Sequence, residues 1–168
     1  MEGEKKLIFL AHCLLNQSVM PEERRVYEGN IRELLQFLAE KDIGIVQIPC
    51  PWSEFKRTSE ESEYLQAVRE KKYREFCKKI AKIVVKEVES YLKSGCKVLC
   101  ILGVEFSPTC GVHQIEQEKS RVTPGRGVLI EEIEEEMRRR NFQIPLIGVN
   151  PANVYPVIER LEMMLSFI

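Results

Sequence analysis

Four short apolar runs set the fold. Leu7-Ile8-Phe9-Leu10-Ala11, Ile43–Ile48, Lys97–Val104 and Ile144–Val149 are each too short for a buried helix and apolar on both faces. Each is followed by residues at helical spacing. Ile31, Leu34, Leu35 and Leu38 mark a helix that ends near Asp42. Phe76, Ile80, Val84, Val88 and Leu92 mark a longer one, with Gly95 as its C-terminal stop. Val128, Ile133 and Met137 mark a third, and Val157, Ile158, Leu161 and Leu165 a last one opened by Asn150-Pro151. Thr58, with Glu61 three residues on, reads as a capping box for an additional helical stretch. Strands apolar on both faces and alternating with helices call for a parallel sheet covered on both sides. The expectation is an α/β fold: a small, three-layer, doubly wound sheet of four to five mainly parallel strands, Rossmann-like or flavodoxin-like. Ligands in such folds sit beyond the carboxyl ends of the strands.

Length and charge narrow the rest. With 168 residues and no linker, repeat or low-complexity segment, residues 1–168 read as one domain. The 25 basic residues are offset by 26 acidic ones, which excludes the broad positive footprint of a protein that binds a nucleic-acid polymer. Apolar runs of five or six residues are far short of the ~20 that cross a bilayer, so no membrane partner is expected. The charged start, Met1–Lys6, is unlike a secretory signal, so a cytoplasmic protein with reduced thiols is expected.

Six cysteines in such a chain are metal ligands, catalytic thiols or core residues before they are disulfides. Cys13 falls just past the first strand, Cys50 just past the second, and Cys110 in the loop after the third. Although 37 and 60 residues apart in sequence, they would converge over one sheet edge. Cys77 belongs to the apolar face of its helix. Cys96 and Cys100, on or beside one strand, would lie about 13 Å apart at ~3.3 Å per residue, too far to share a cluster. These three read as structural. Three converging thiols suit zinc completed by water or a histidine, or an iron-sulfur cluster with one open iron. They are also compatible with a metal-free site. His12 and His113, the two histidines, each neighbour a candidate cysteine.

Three blocks at these cysteines carry a resemblance. Ala11-His12-Cys13-Leu14-Leu15-Asn16, Ile48-Pro49-Cys50-Pro51 and Ser107-Pro108-Thr109-Cys110-Gly111 resemble, in order, the signature blocks of the thiouracil desulfurase (TudS-like desulfidase) family. Those blocks read approximately S-A-C-L-L-G, C-P-E and S-P-S-C-G. The resemblance runs from about residue 5 to about residue 150. It implies a 4Fe-4S cluster held by Cys13, Cys50 and Cys110, with one open iron that captures sulfur while a hydrolytic step puts oxygen in its place. It also places Ser107 beside the cluster. The chain departs from the pattern at Trp52, where an acid is usual (Glu54 comes two residues later), and at Asn16, where glycine is usual.

The resulting expectation is an iron-sulfur desulfidase acting on a small thiolated compound such as a thionated nucleobase. Ser107, His113 and Glu54 are the candidate catalytic residues, and Trp52, Asn16 and Asn150 the candidate substrate contacts. Ser107 reads equally as a turn serine, and Asn150 as the cap of the last helix. His12, beside a ligand at a strand end, reads as structural. Gly125-Arg126-Gly127 reads as a turn rather than an anion cradle, and residues 113–126 as a polar loop or lid. Alternatives on the same cysteines are a sulfur-carrying module that serves a partner enzyme, a zinc hydrolase using His113 or water, and a metal-free binding domain. Oligomeric state is not set by the sequence.

Overall fold

The computed structural model describes residues 3–55 and 61–168. Four strands form one parallel sheet: β1 (Lys6–Ala11), β2 (Gly44–Ile48), β3 (Lys97–Val104) and, last in sequence, a strand at Leu146–Val149. A hairpin of β4 (Gln114–Glu118) and β5 (Arg121–Pro124) intervenes, so the last strand is β6. The spatial order is β2-β1-β3-β6. The helices are α1 (His12–Leu15), α2 (Arg32–Glu40), α3 (Pro51–Phe55), α4 (Glu61–Ala67), α5 (Lys71–Lys93), α6 (Val128–Arg139) and α7 (Tyr155–Ser166). Thr58, the first residue of the expected capping box, lies outside the described residues.

Period-2 alternation splits the core in two. Leu7 and Phe9 enter one layer with Tyr73, Ile80 and Val84 of α5 and Leu129, Ile133 and Met137 of α6. Ile8 and Leu10 enter the other with Leu34 and Leu38 of α2 and Val157 and Leu161 of α7. The result is three layers, as the apolar runs imply. Each fully buried Ile, Leu or Phe here contributes about 1.5–3 kcal/mol relative to exposure. Pairing of β1 with β3 slips between Leu7–Val98 and Phe9–Ile101. The bulge sets Leu99 and Cys100 against the single Ile8, and both join the α2/α7 layer. Cys77 and Cys100 are wholly buried core residues and Cys96 is partly buried, in keeping with the structural reading of all three.

Local chemistry fixes the element ends. α5 buries Tyr73, Cys77, Ile80, Ala81, Val84, Val85 and Val88 on one stripe. It ends in a Schellman motif: Gly95, at φ +84°, donates to Leu92 O (3.1 Å), and Cys96 donates to Tyr91 O (3.0 Å). The sequence reading misplaces two features. Residues 113–126 are a hairpin and not an unstructured loop. Its strands are polar and largely exposed on both faces, so they carry no apolar alternation to reveal them. Asn150 does not cap α7, which starts five residues later. Its Oδ1 instead accepts from Ala152 N at 3.0 Å and closes a turn around Pro151.

The hairpin is tied to the sheet by Glu105, which follows β3. Its Oε1 accepts from Val112 N and His113 N, both at 3.1 Å, and its Oε2 from Gln114 N at 3.0 Å. The carboxylate fits only because β6 has glycine beneath it: a Cβ at Gly148 would stand 1.6 Å from Glu105 Oε1. Gly148→Ala should therefore break these charge-assisted bonds and cost about 3 kcal/mol. Denaturant unfolding measures this, and a loss of under about 0.5 kcal/mol would show that Glu105 can move without cost.

Candidate functional site: three thiols at the switch point

Strand order reverses between β1 and β3, so the crevice beyond their carboxyl ends is the switch point of the sheet. α1 carries Cys13 there, directly after β1. The turn after β3 carries Cys110, and Cys50 follows the neighbouring β2 between Pro49 and Pro51. The structure brings all three to one small cavity of about 40 Å³. Val19, Met20, Pro21, Arg24, Trp52, Tyr64, Ser107 and Thr109 complete its wall.

The turn that holds Cys110 is the most tightly built part of the site. Ser107 Oγ accepts from Cys110 N (3.0 Å) and Thr109 N (3.2 Å), and Gly111 N donates to Ser107 O (2.8 Å). Cys110 O accepts from Val104 N (2.8 Å), which ties the turn to β3. On the other side, α6 donates Val128 N to Pro108 O and Leu129 N to Thr109 O, both at 3.0 Å. The first amides of α6 are thus spent on this turn and not on an anion, in line with the turn reading of Gly125-Arg126-Gly127. The backbones touch through glycines: a Cβ on Gly103 would lie 2.3 Å from Cys110 O, and one on Gly127 2.3 Å from Thr109 O.

Cys13 is held differently. The fully buried Gln17 donates its Nε2 to Cys13 O at 2.7 Å, while its Oε1 accepts from Val26 N (3.0 Å) and Tyr27 N (3.4 Å). One amide side chain fastens the 18–30 segment, which supplies Met20 and Arg24, to the residue bearing the thiol. The backbone amides of Ser53 and Trp52, at the start of α3, act to lower the Cys50 thiol against its burial.

Burial dominates the electrostatics. Desolvation, reinforced by Cys50, pushes the Cys13 thiol up to about 12. Desolvation also raises Cys50, and holds Cys110 well above the ordinary range with added repulsion from Cys13, Cys50 and Cys77. The thiols are close enough to feel one another's charge. Among the described residues, however, no three His, Cys, Asp or Glu side chains form a group that could hold a single metal ion. The donor set has the softness a metal cluster takes: three partly buried thiols around one cavity, which ionise more readily when a cation joins them.

The other expected site residues separate into two groups. Ser107 and Trp52 line the cavity; Trp52 is buried edge-on to Tyr64, with ring centroids 4.9 Å apart. Asn150 lines a wider cleft of about 370 Å³, whose wall shares Met20, Arg24 and Ser107 with the cavity. Asn16, His113 and Glu54 line neither space. Asn16 Oδ1 accepts from Ser18 N (3.1 Å) and caps the turn at Gln17–Val19. His113, just before β4, is exposed, with Nδ1 3.6 Å from Glu105 Oε1. Glu54 is exposed on α3. His12 Nδ1 lies 3.2 Å from Gln47 Nε2, and burial lowers its pKa despite the nearby Glu54.

Several contributors escape a sequence reading. Arg24 lines the cavity, pairs with Glu116 of β4, and lies 5.5 Å from the Tyr64 ring centroid. Tyr73 OH and Tyr64 OH each lie 2.7 Å from Thr109 Oγ1, and Tyr64 OH lies 3.3 Å from Ser107 Oγ. The contacting pairs are 36 to 45 residues apart in sequence, and only the fold unites them. The available local signal is the pair of hydroxyl residues inside Ser107-Pro108-Thr109-Cys110.

Two outcomes follow. Gln17→Leu removes three part-buried hydrogen bonds to the backbone and should cost about 2 kcal/mol. Amide exchange at Val26 should accelerate, and an unchanged rate would mean the segment is fastened elsewhere. For the metal-free protein, a folded thiol pKa above the unfolded value of 9.0 means stability is intact below pH 9 and lost as pH rises toward about 12. Unfolding free energies at pH 8 and pH 10.5 (about one unit below and midway through that window) should diverge less in Cys13→Ala than in the wild type. Parallel slopes would place the ionisation elsewhere.

Comparison with known proteins comes down to fold. No family model matches the chain. An uncharacterized protein of Methanocaldococcus jannaschii is 28% identical over 168 residues, spanning 99% of this chain and 100% of the relative. Among solved structures, the 4Fe-4S-dependent thiouracil desulfidase TudS aligns over 98% of this chain and 100% of its own, with a TM-score of 0.55 and 18% identity. At that identity the likeness shows a common α/β fold.

Proposed function

We propose that the chain is an iron-sulfur desulfidase: Cys13, Cys50 and Cys110 hold a 4Fe-4S cluster, and a small thiolated compound such as a thionated nucleobase loses its sulfur there. The net change is C=S plus water to C=O plus hydrogen sulfide, with no change in oxidation state. The observation that carries this reading is the convergence of the three cysteines on one cavity at the switch point. The similarity of the fold to a desulfidase that depends on such a cluster supports it.

Held by three thiolates, such a cluster supplies an open iron, a soft Lewis acid for sulfur. The chain's own residues do the rest. The Ser107–Gly111 turn fixes Cys110, and Gln17 fixes Cys13. Val19, Met20, Pro21 and Trp52 wall the cavity with apolar surface that excludes bulk water. The adjoining cleft has the size of a small-molecule site and holds the body of the compound, with Phe106 and Asn150 in its wall. In this reading Ser107, which lines both cavity and cleft, holds a proton for the reacting compound. His113 and Glu54 take no part in this account, because neither faces the cavity. The zinc reading loses its histidine for the same reason.

Anaerobic purification with iron and sulfide analysis tests the proposal. The wild type and Cys96→Ala should be brown, with near-stoichiometric iron and sulfide. Cys13→Ala, Cys50→Ala and Cys110→Ala should each lose most of both. A colourless wild type after reconstitution, or full retention in all three variants, contradicts it.

A further inference from the structure

One residue beside the thiol turn is held in a backbone conformation that its side chain disfavours. Among the described residues, positive φ outside glycine occurs at Asp42, Ser120, Asn141 and Phe106. The first three carry short polar side chains, the kind that tolerates this region best. Phe106, at φ +73°, is bulky, and its Cβ crowds the backbone there. Glycine would take the same conformation without that crowding. The surroundings enforce it. Phe106 N donates to Gln114 O, and Phe106 O accepts from Glu116 N, both at 2.9 Å. Before it, the Glu105 carboxylate is fixed by the amides of Val112, His113 and Gln114. After it, Ser107 N donates to Val104 O at 3.2 Å.

Packing gives no reason for a phenyl ring at this point. Phe106 is half-buried, belongs to neither core layer, and takes part in no ring pair among the described residues. It does line the 370 Å³ cleft, where the other apolar wall residues are aliphatic: Met20, Val26, Val104, Pro151 and Ala152. Its N–H and C=O are spent on the hairpin, so what it offers the cleft is its ring. The next residue, Ser107, lines both the cleft and the thiol cavity. Trp52, the aromatic residue that the sequence offers as a substrate contact, is only 3% exposed and packs in the α5/α6 core layer. Backbone strain kept at a site wall, around a side chain the core does not use, points to a role in binding.

We propose that Phe106 is the specificity-determining residue of the cleft: its ring stacks on the planar body of the thiolated compound, whose sulfur reaches past Ser107 to the three cysteines. This deepens the proposed function and rests on it, since it assumes that sulfur binds at those cysteines. An aromatic face attracts any flat conjugated ring and gains little from an acyclic thioamide. Phe106 therefore selects for flatness, and leaves the pattern of ring substituents to the polar groups of the wall.

The test is equilibrium binding to the anaerobically reconstituted protein, with 2-thiouracil as the planar probe and thioacetamide as the acyclic one. The wild type should bind 2-thiouracil the more tightly. Phe106→Gly should retain its iron and unfold at a denaturant concentration no lower than the wild type, because glycine relieves the crowding. Its affinity for 2-thiouracil should fall about tenfold or more, as for the loss of one stacked base, and that for thioacetamide by less than about twofold. Phe106→Leu keeps apolar bulk without a flat face, and should lose 2-thiouracil affinity as well. Earlier unfolding or iron loss in Phe106→Gly, an unchanged 2-thiouracil affinity in either variant, or an equal loss for both probes overturns the inference alone. So does a wild type that binds thioacetamide as tightly as 2-thiouracil. A wild type that takes up no iron, or that binds neither probe once loaded, overturns the proposed function, and the inference with it.

Discussion

The site depends on one turn wedged between two backbones. Ser107–Gly111 leaves β3, folds back so that Cys110 O meets Val104 N, and then receives the first amides of α6. Gly103 and Gly127 let the three segments approach more closely than any side chain would permit. The turn is therefore continuous with the core on both sides. A thiol on it has little freedom to move toward or away from the other two, so a group bound by all three would be spared the ordering entropy that a flexible loop loses on binding.

Cys13 and Cys50 reach the same place through different devices. Cys13 follows a strand that is buried from Leu7 to Ala11 and is steadied by an internal glutamine. Cys50 sits between two prolines at the start of a short helix. Burial makes each thiol a poor acid alone. The arrangement favours a bound cation over free thiolates, and that links the packing of the core to the chemistry of the crevice.

Much of this was legible in the sequence, for physical reasons that can be named. Apolar runs on both faces reveal central parallel strands, and strand ends then locate Cys13, Cys50 and Cys110 without knowledge of loop geometry. The β4–β5 hairpin was not legible, because a ribbon that buries neither face has no hydrophobic period. Asn-Pro before apolar residues at helical spacing suggests a helix cap at Asn150, one of its two readings, but the chain makes one more turn first. Arg24, Tyr64, Tyr73 and Gln17 look like ordinary helix or loop residues. Their roles come from partners brought together by the tertiary fold, and a single sequence holds no record of those pairings.

The account's central claim is that three cysteines, and no fourth protein ligand, hold an iron-sulfur cluster at the switch point. Mössbauer spectroscopy of the protein reconstituted anaerobically with iron-57 tests this most directly. The account predicts one iron distinguishable from the other three, whose signal alone shifts when a thiolated compound is added. Four equivalent irons unaffected by the compound, or no cluster signal at all, would contradict it.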